Sequence, residues 1–254
     1  TLVRGSGRSL SAAGAVTEMA RRFLRQKLGS AGTFIALGLM AVIAALPLNA
    51  GQAFSGLDTV AMLVLAAGCV SRDAASGALQ MILSRPIRRT QYLAGRYAGL
   101  LACFLLFLGS SVVLAITLGQ IVARLSPGPA PPMRPMADFA RVCAAAFLQG
   151  ALLAAIVLFF STFLRGWGDV LAVAVFGILF GSLRTLGQAL RLPAVARAGE
   201  LARDNFSPSV PWDSVLHGQR VFGEPTGRYI LALLLYWTLA AVIFSRREFS
   251  YGQD

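Results

Sequence analysis

Long uncharged apolar runs, broken by short basic stretches, dominate this chain and set the period on which everything else is read. A helix crossing the hydrocarbon core needs about 20 mainly apolar residues, with roughly 17 to 25 tolerated. Six runs fit or nearly fit that length: Ser30 to Leu48, Leu57 to Ser71, Tyr97 to Ala123, Val142 to Leu164, Trp167 to Leu183 and Tyr229 to Ser245. The second is short and carries Asp58 in its first turn, and the fifth needs Trp167 to complete it at one interface. The pattern predicts an all-α, polytopic membrane protein, a six-helix transmembrane bundle over residues 11–254.

Ahead of the first run the period changes. From Val16 to Leu28, Val16, Met19, Ala20, Phe23 and Leu24 fall on one side, and Glu18, Arg21, Arg22 and Arg25 on the other. That is the pattern of an amphipathic helix lying in the membrane interface, here spanning 11–29 and resting on the inner leaflet beside the first span, with Phe23, Arg21, Arg22 and Arg25 as its marking residues. The opening LVRGS resembles an expression-tag remnant, so residues 1–10 are set apart as a leader. Between the second and third runs lies a basic, helix-patterned loop, residues 71–92. At about 100° per residue, Asp73, Gly77, Gln80 and Ser84 share one face and Ala75, Ala78, Leu79, Ile82 and Leu83 the other. Pro86 ends that helix, because it cannot donate its backbone hydrogen bond and restrains Arg85 away from helical dihedrals. The apolar face suits packing on the span ends, while the polar face, with a glycine allowing close approach, suits either a partner or plain solvent.

Composition agrees with the pattern: 56% of residues are hydrophobic, 13% charged, and the mean hydropathy is +0.68. The net charge of +12 is carried by residues that bracket the apolar runs, which points to anionic lipid and not to nucleic acid. Cytoplasmic loops of membrane proteins are enriched in Lys and Arg. With both termini inside, the larger share of the 23 basic residues is cytoplasmic, including Arg21, Arg22, Arg25, Lys27, Arg72, Arg85, Arg88, Arg89, Arg96 and Arg165. The segment 184–228 then lies outside, with a short helix expected from Pro193 to about Ala202. The predicted location is the inner (cytoplasmic) membrane of the cell.

Candidate chemistry removes functions more than it adds them. Cys69, Cys103 and Cys143 sit in separate apolar runs and read as small hydrophobes, and His217 is the sole histidine. No acidic residue falls near mid-bilayer, where ion-coupled carriers keep their coupling group. There is no HExxH and no GxSxG, and the single lysine, Lys27, is followed by Leu28 and Gly29, which rules out a phosphate-cradling GxxxxGK[ST]. No metal or catalytic site is expected, and any driven work must draw its energy from another polypeptide.

The loop resembles the signature region of ABC exporter permeases of the second type. In that family an acidic residue, a glycine, a Leu-rich helical run and a proline precede a basic residue and a Gly-Lys or Gly-Arg pair. Here these are Asp73, Gly77, Leu79, Leu83, Pro86, Arg89, Gly95 and Arg96, with Asp73 and Gln80 where many members have Glu. The resemblance continues, more loosely, through the lead-in helix, six spans and the basic-aromatic tail SRREF at Ser245 to Phe249. It implies a permease subunit without its own ATPase site that pairs with a second permease copy. It also implies that Asp73, Gly77, Leu79, Gln80, Leu83, Ser84, Pro86 and Arg89 form a coupling helix against a cytoplasmic ATP-binding subunit, where ATP and Mg would be bound. A secondary carrier or a non-transporting membrane scaffold is the alternative that the residues by themselves leave open.

Overall fold

The computed structural model describes residues 12–49, 57–70, 73, 88–125, 135–164, 168–208, 210, 212, 215 and 223–246. Every regular element among them is helical: α1 (Ala12–Leu28), α2 (Ala31–Asn49), α3 (Leu57–Ala66), α4 (Arg89–Leu125), α5 (Met136–Ser161), α6 (Gly168–Ala189), α7 (Pro193–Phe206) and α8 (Glu224–Arg246). Each apolar run of the sequence therefore has its helix. Three of them, α4, α5 and α8, are long and apolar enough to cross a membrane. A fourth span results if α1 and α2, bent by 81° at their junction, are counted as one. α3 has 10 residues, about 15 Å of helix, and the apolar part of α6 covers Gly168–Leu179, so neither reaches across by itself.

The outward faces carry the membrane character. Phe34, Ile35 and Leu39 on α2, Leu105, Leu106 and Val113 on α4, Leu171 and Ile178 on α6, and Leu231 and Leu234 on α8 are all exposed. Water would penalise so broad an apolar surface, whereas acyl chains would not.

α4 is the axis of the packing. At 37 residues, about 55 Å, it outruns the bilayer and begins eight residues before the predicted span, at Arg89. α1 lies along its first turns, and Gly95 and Gly99 make that approach feasible. A Cβ at Gly95 would run into Met19 and the Val16 carbonyl, and one at Gly99 into Phe23 and the Ala20 carbonyl. The apolar stripe of α1, Ala15, Met19 and Phe23, is thereby buried against protein, while Arg21, Arg22 and Arg25 stay exposed and Arg22 pairs with Glu18 at 3.0 Å. α5 crosses α4 with Gly150 under the ring of Phe104. Two tyrosines fix α5 from either side: Tyr97 of α4 donates to the Ala151 carbonyl at 3.0 Å and Tyr229 of α8 to the Leu148 carbonyl at 2.5 Å.

Beyond α6 the chain reverses. Leu192 N–H donates to the Gly187 carbonyl and Arg191 N–H to Gln188, the paired bonds of a Schellman cap, with Arg191 itself at φ 54° in the left-handed position that glycine usually fills. Pro193 then starts α7, which runs to Phe206, four residues past the expected end. α7 returns along α6, so closely that a Cβ on Gly187 would strike the Ala196 backbone. Its last residue is wedged among Phe160, Phe176 and Tyr236, and Tyr236 donates to the Phe206 carbonyl at 3.0 Å.

Candidate functional site

The residues flanking the predicted coupling loop converge on one end of the bundle, where the ends of α1, α3, α5 and α8 meet the starts of α4 and α6. Helical geometry explains part of this: α4 presents Tyr92 and Arg96 on one face at i, i+4 spacing, toward α1 and the chain that follows α3. Asp73 enters from that chain and is 5% exposed; Arg96 is 6% exposed. The two form an ion pair, Arg96 Nη2 to Asp73 Oδ2. Tyr92 Oη donates to the same carboxylate at 2.8 Å and accepts from Arg96 Nε at 3.2 Å, and Arg96 Nη1 donates to Gln26 Oε1 of α1 at 3.1 Å. The guanidinium also lies 5.1 Å from the Phe23 ring centroid and 5.3 Å from that of Tyr92. Four separate donors and two aromatic faces thus offset the desolvation of one buried charge pair, the condition under which such a pair persists.

A second set of bonds knits the neighbouring ends. Lys27, buried, donates its ammonium to the Ala67 carbonyl just past α3 at 3.0 Å, with Phe23 beneath it at 5.6 Å. Gly68, at φ 66°, donates to Asp169 Oδ2 at the start of α6 at 3.2 Å, and Val70 N–H donates to Ser161 Oγ at the end of α5 at 3.1 Å. Arg89 reaches the last turn of α8, donating to the Phe244 and Ser245 carbonyls at 3.3 and 2.9 Å. There a cation meets the negative end of the helix dipole. Tyr92 stacks on Phe244 at 5.7 Å.

Of the residues singled out in the sequence, Asp73 and Arg89 are brought together with this rim, and both point inward. Asp73 was assigned to the partner-facing side of its helix; its carboxylate is instead buried against Arg96 and Tyr92. Gly77, Leu79, Gln80, Leu83, Ser84 and Pro86 lie outside the described residues. Phe23 is 1% exposed and forms the floor under Arg96 and Lys27, so its ring packs on protein, not lipid. Arg21, Arg22 and Arg25 stay on the outer side of α1. Sequence reasoning missed Gln26, Lys27, Tyr92, Ser161 and Asp169. The only advance signal was that a lone lysine and an aspartate both sat at apolar-run ends on the basic side of the chain. A search of protein-family models and of curated proteins finds nothing that matches this sequence.

Proposed function

We propose that the chain is the membrane-spanning permease subunit of an ATP-driven exporter of the second ABC type, working in the inner membrane beside a second permease copy and a cytoplasmic ATP-binding subunit. Six spans are assigned to it, with α2, α3 and α6 completing the set begun by α4, α5 and α8, and α1 resting at the inner leaflet. Both termini are cytoplasmic. The observation that carries the reading is the rim just described. The two stems of the loop 71–88 are not loose: Asp73 on one and Tyr92 and Arg96 on the other share a buried charge network that also holds α1, while Arg89 holds α8. A force applied to that loop would be delivered to four helices together, which is what coupling to a motor in another polypeptide requires and what a solvated anchor does not.

The test is copurification with the ATP-binding subunit. Gly77→Trp and Gln80→Arg alter the expected contact face and leave Asp73 and Arg96 themselves unchanged, and both should insert normally yet lose the subunit and transport together, by tenfold or more. Arg88→Ala, exposed and outside the pair, should stay within twofold of wild type. Undiminished capture and transport by both loop variants would mean the loop is solvated scaffolding, and the reading would fall. Asp73→Arg is the wrong probe, since it would set two guanidinium groups side by side in a buried site.

A further inference from the structure

Between α3, α4, α5, α6 and the end of α7 lies a cavity of about 550 Å³, within the range of small-molecule sites. Its walls are apolar, from Leu63, Phe104, Leu153, Ile156, Val173 and Phe206, and beside the hydroxyls of Thr59 and Ser207 three longer polar side chains from three different elements line it: Asp58, Gln149 and Arg203. Among the described residues no ion pair or hydrogen bond links any of the three to another side chain, and Asp58 answers only to backbone N–H groups of its own first turn. At the rim, by contrast, Asp73 and Arg96 are paired with each other. The depth matters as well. Gln149 stands 12 residues from Ser161 and Gly177 nine from Gly168, so along the axes of α5 and α6 the cavity sits about 13 to 18 Å above the charged rim. That is well inside the length of both helices, deeper than the sequence pattern suggested for Asp58 and for the segment that carries Arg203; there Asp58 is half-buried and Arg203 exposed.

We infer that this cavity binds an amphipathic molecule whose head carries an ammonium and an anionic group, the ammonium toward Asp58, the anion toward Arg203, Gln149 bridging, and the apolar body against the aromatic wall. A carboxylate and a guanidinium lining one cavity but not paired with each other leave room for a zwitterion between them; a purely cationic or anionic ligand would leave one charge unmatched. Binding requires no ATPase, so the inference stands apart from the coupling assignment and goes beyond it.

The experiment uses the purified chain in detergent without any partner, and a chain-labelled lysophosphatidylethanolamine as probe. Competitors are lysophosphatidylglycerol (anion only), hexadecyltrimethylammonium (cation only) and free phosphoethanolamine (head only). The zwitterion should bind at least tenfold tighter than any of the three. Asp58→Asn should weaken it about tenfold while leaving the anionic lipid unchanged, and Arg203→Gln should weaken both. Gly177 lines the cavity and a Cβ there meets nothing within 4 Å, so Gly177→Phe has room at the backbone and should abolish saturable binding. Gly177→Leu serves the same purpose if the larger ring prevents folding. Equal affinity for the lipid probes, or unchanged binding with Gly177 filled, would mean ordinary annular lipid and overturn the site. Equal binding of phosphoethanolamine would overturn the amphiphile and leave a soluble zwitterion as the ligand.

Discussion

Lys27 ends on a backbone carbonyl and Arg96 on a carboxylate, a phenol and an amide, and the difference sets what each substitution will do. Lys27 holds a carbonyl just past the end of α3, so its loss leaves that acceptor open. Arg96 compensates a buried charge. Arg96→Met should therefore cost about 3 to 5 kcal/mol, because Asp73 would remain nearly dry without its counter-charge. Asp73→Asn should cost less, and combining it with Arg96→Met should recover much of the loss. A double-mutant cycle on thermal unfolding in detergent measures this, with a coupling of about 1 kcal/mol or more expected for groups in direct contact. Additive losses would mean the pair contributes little and that packing over Phe23 and Tyr92 holds Arg96 in place.

The helices themselves were readable in outline and their ends were not. Apolar runs located α2 through α6 and α8 to within several residues, because a span needs length and freedom from charge and both are local properties of sequence. The amphipathic period located α1. What faced its apolar stripe was not local: Gly95 and Gly99, an i, i+4 pair on α4, form the groove that receives Met19 and Phe23, while Gly109 and Ser110 on the same helix face outward. Close approach therefore separates two glycines that look alike in sequence. Gly95→Leu should lift α1 off α4 and cost about 1 to 3 kcal/mol, the usual range for overpacking, whereas Gly109→Leu should be close to neutral in the isolated chain. Disulfide trapping between cysteines on α1 and α4 reports the displacement, and equal effects at both positions would show that α1 does not dock as described. The return of α7 was equally hidden, since it depends on Arg191 taking a left-handed turn that its sequence does not advertise.

Asp73 is the residue whose surroundings periodicity could not give, and the whole arrangement explains why. A helical wheel puts Asp73 with Gly77 and Gln80, but it cannot know that Arg96, in sequence a membrane-entrance cation, turns back to meet it. The same bonds give a topology that chemistry can check. Lys27 to Ala67, Gly68 to Asp169, Val70 to Ser161 and Arg89 to Ser245 tie the exits of α1, α3, α5 and α8 to the entrances of α4 and α6, so these six ends share one side of the membrane whichever side that is. The charge rule predicts that it is the cytoplasmic side. With the native cysteines replaced, single cysteines at Arg88 and Ser245 should react with an impermeant maleimide only once the inner face is opened. Those at Leu125, Met136 and Glu224, all exposed and at the other ends of the same helices, should react on intact cells. Reversal of both groups would keep the bundle and turn it over, placing the loop 71–88 where no cytoplasmic ATPase can reach it. Opposite labelling at Arg88 and Ser245 would break the rim itself, because helix ends bonded to one another cannot lie on opposite sides of a bilayer.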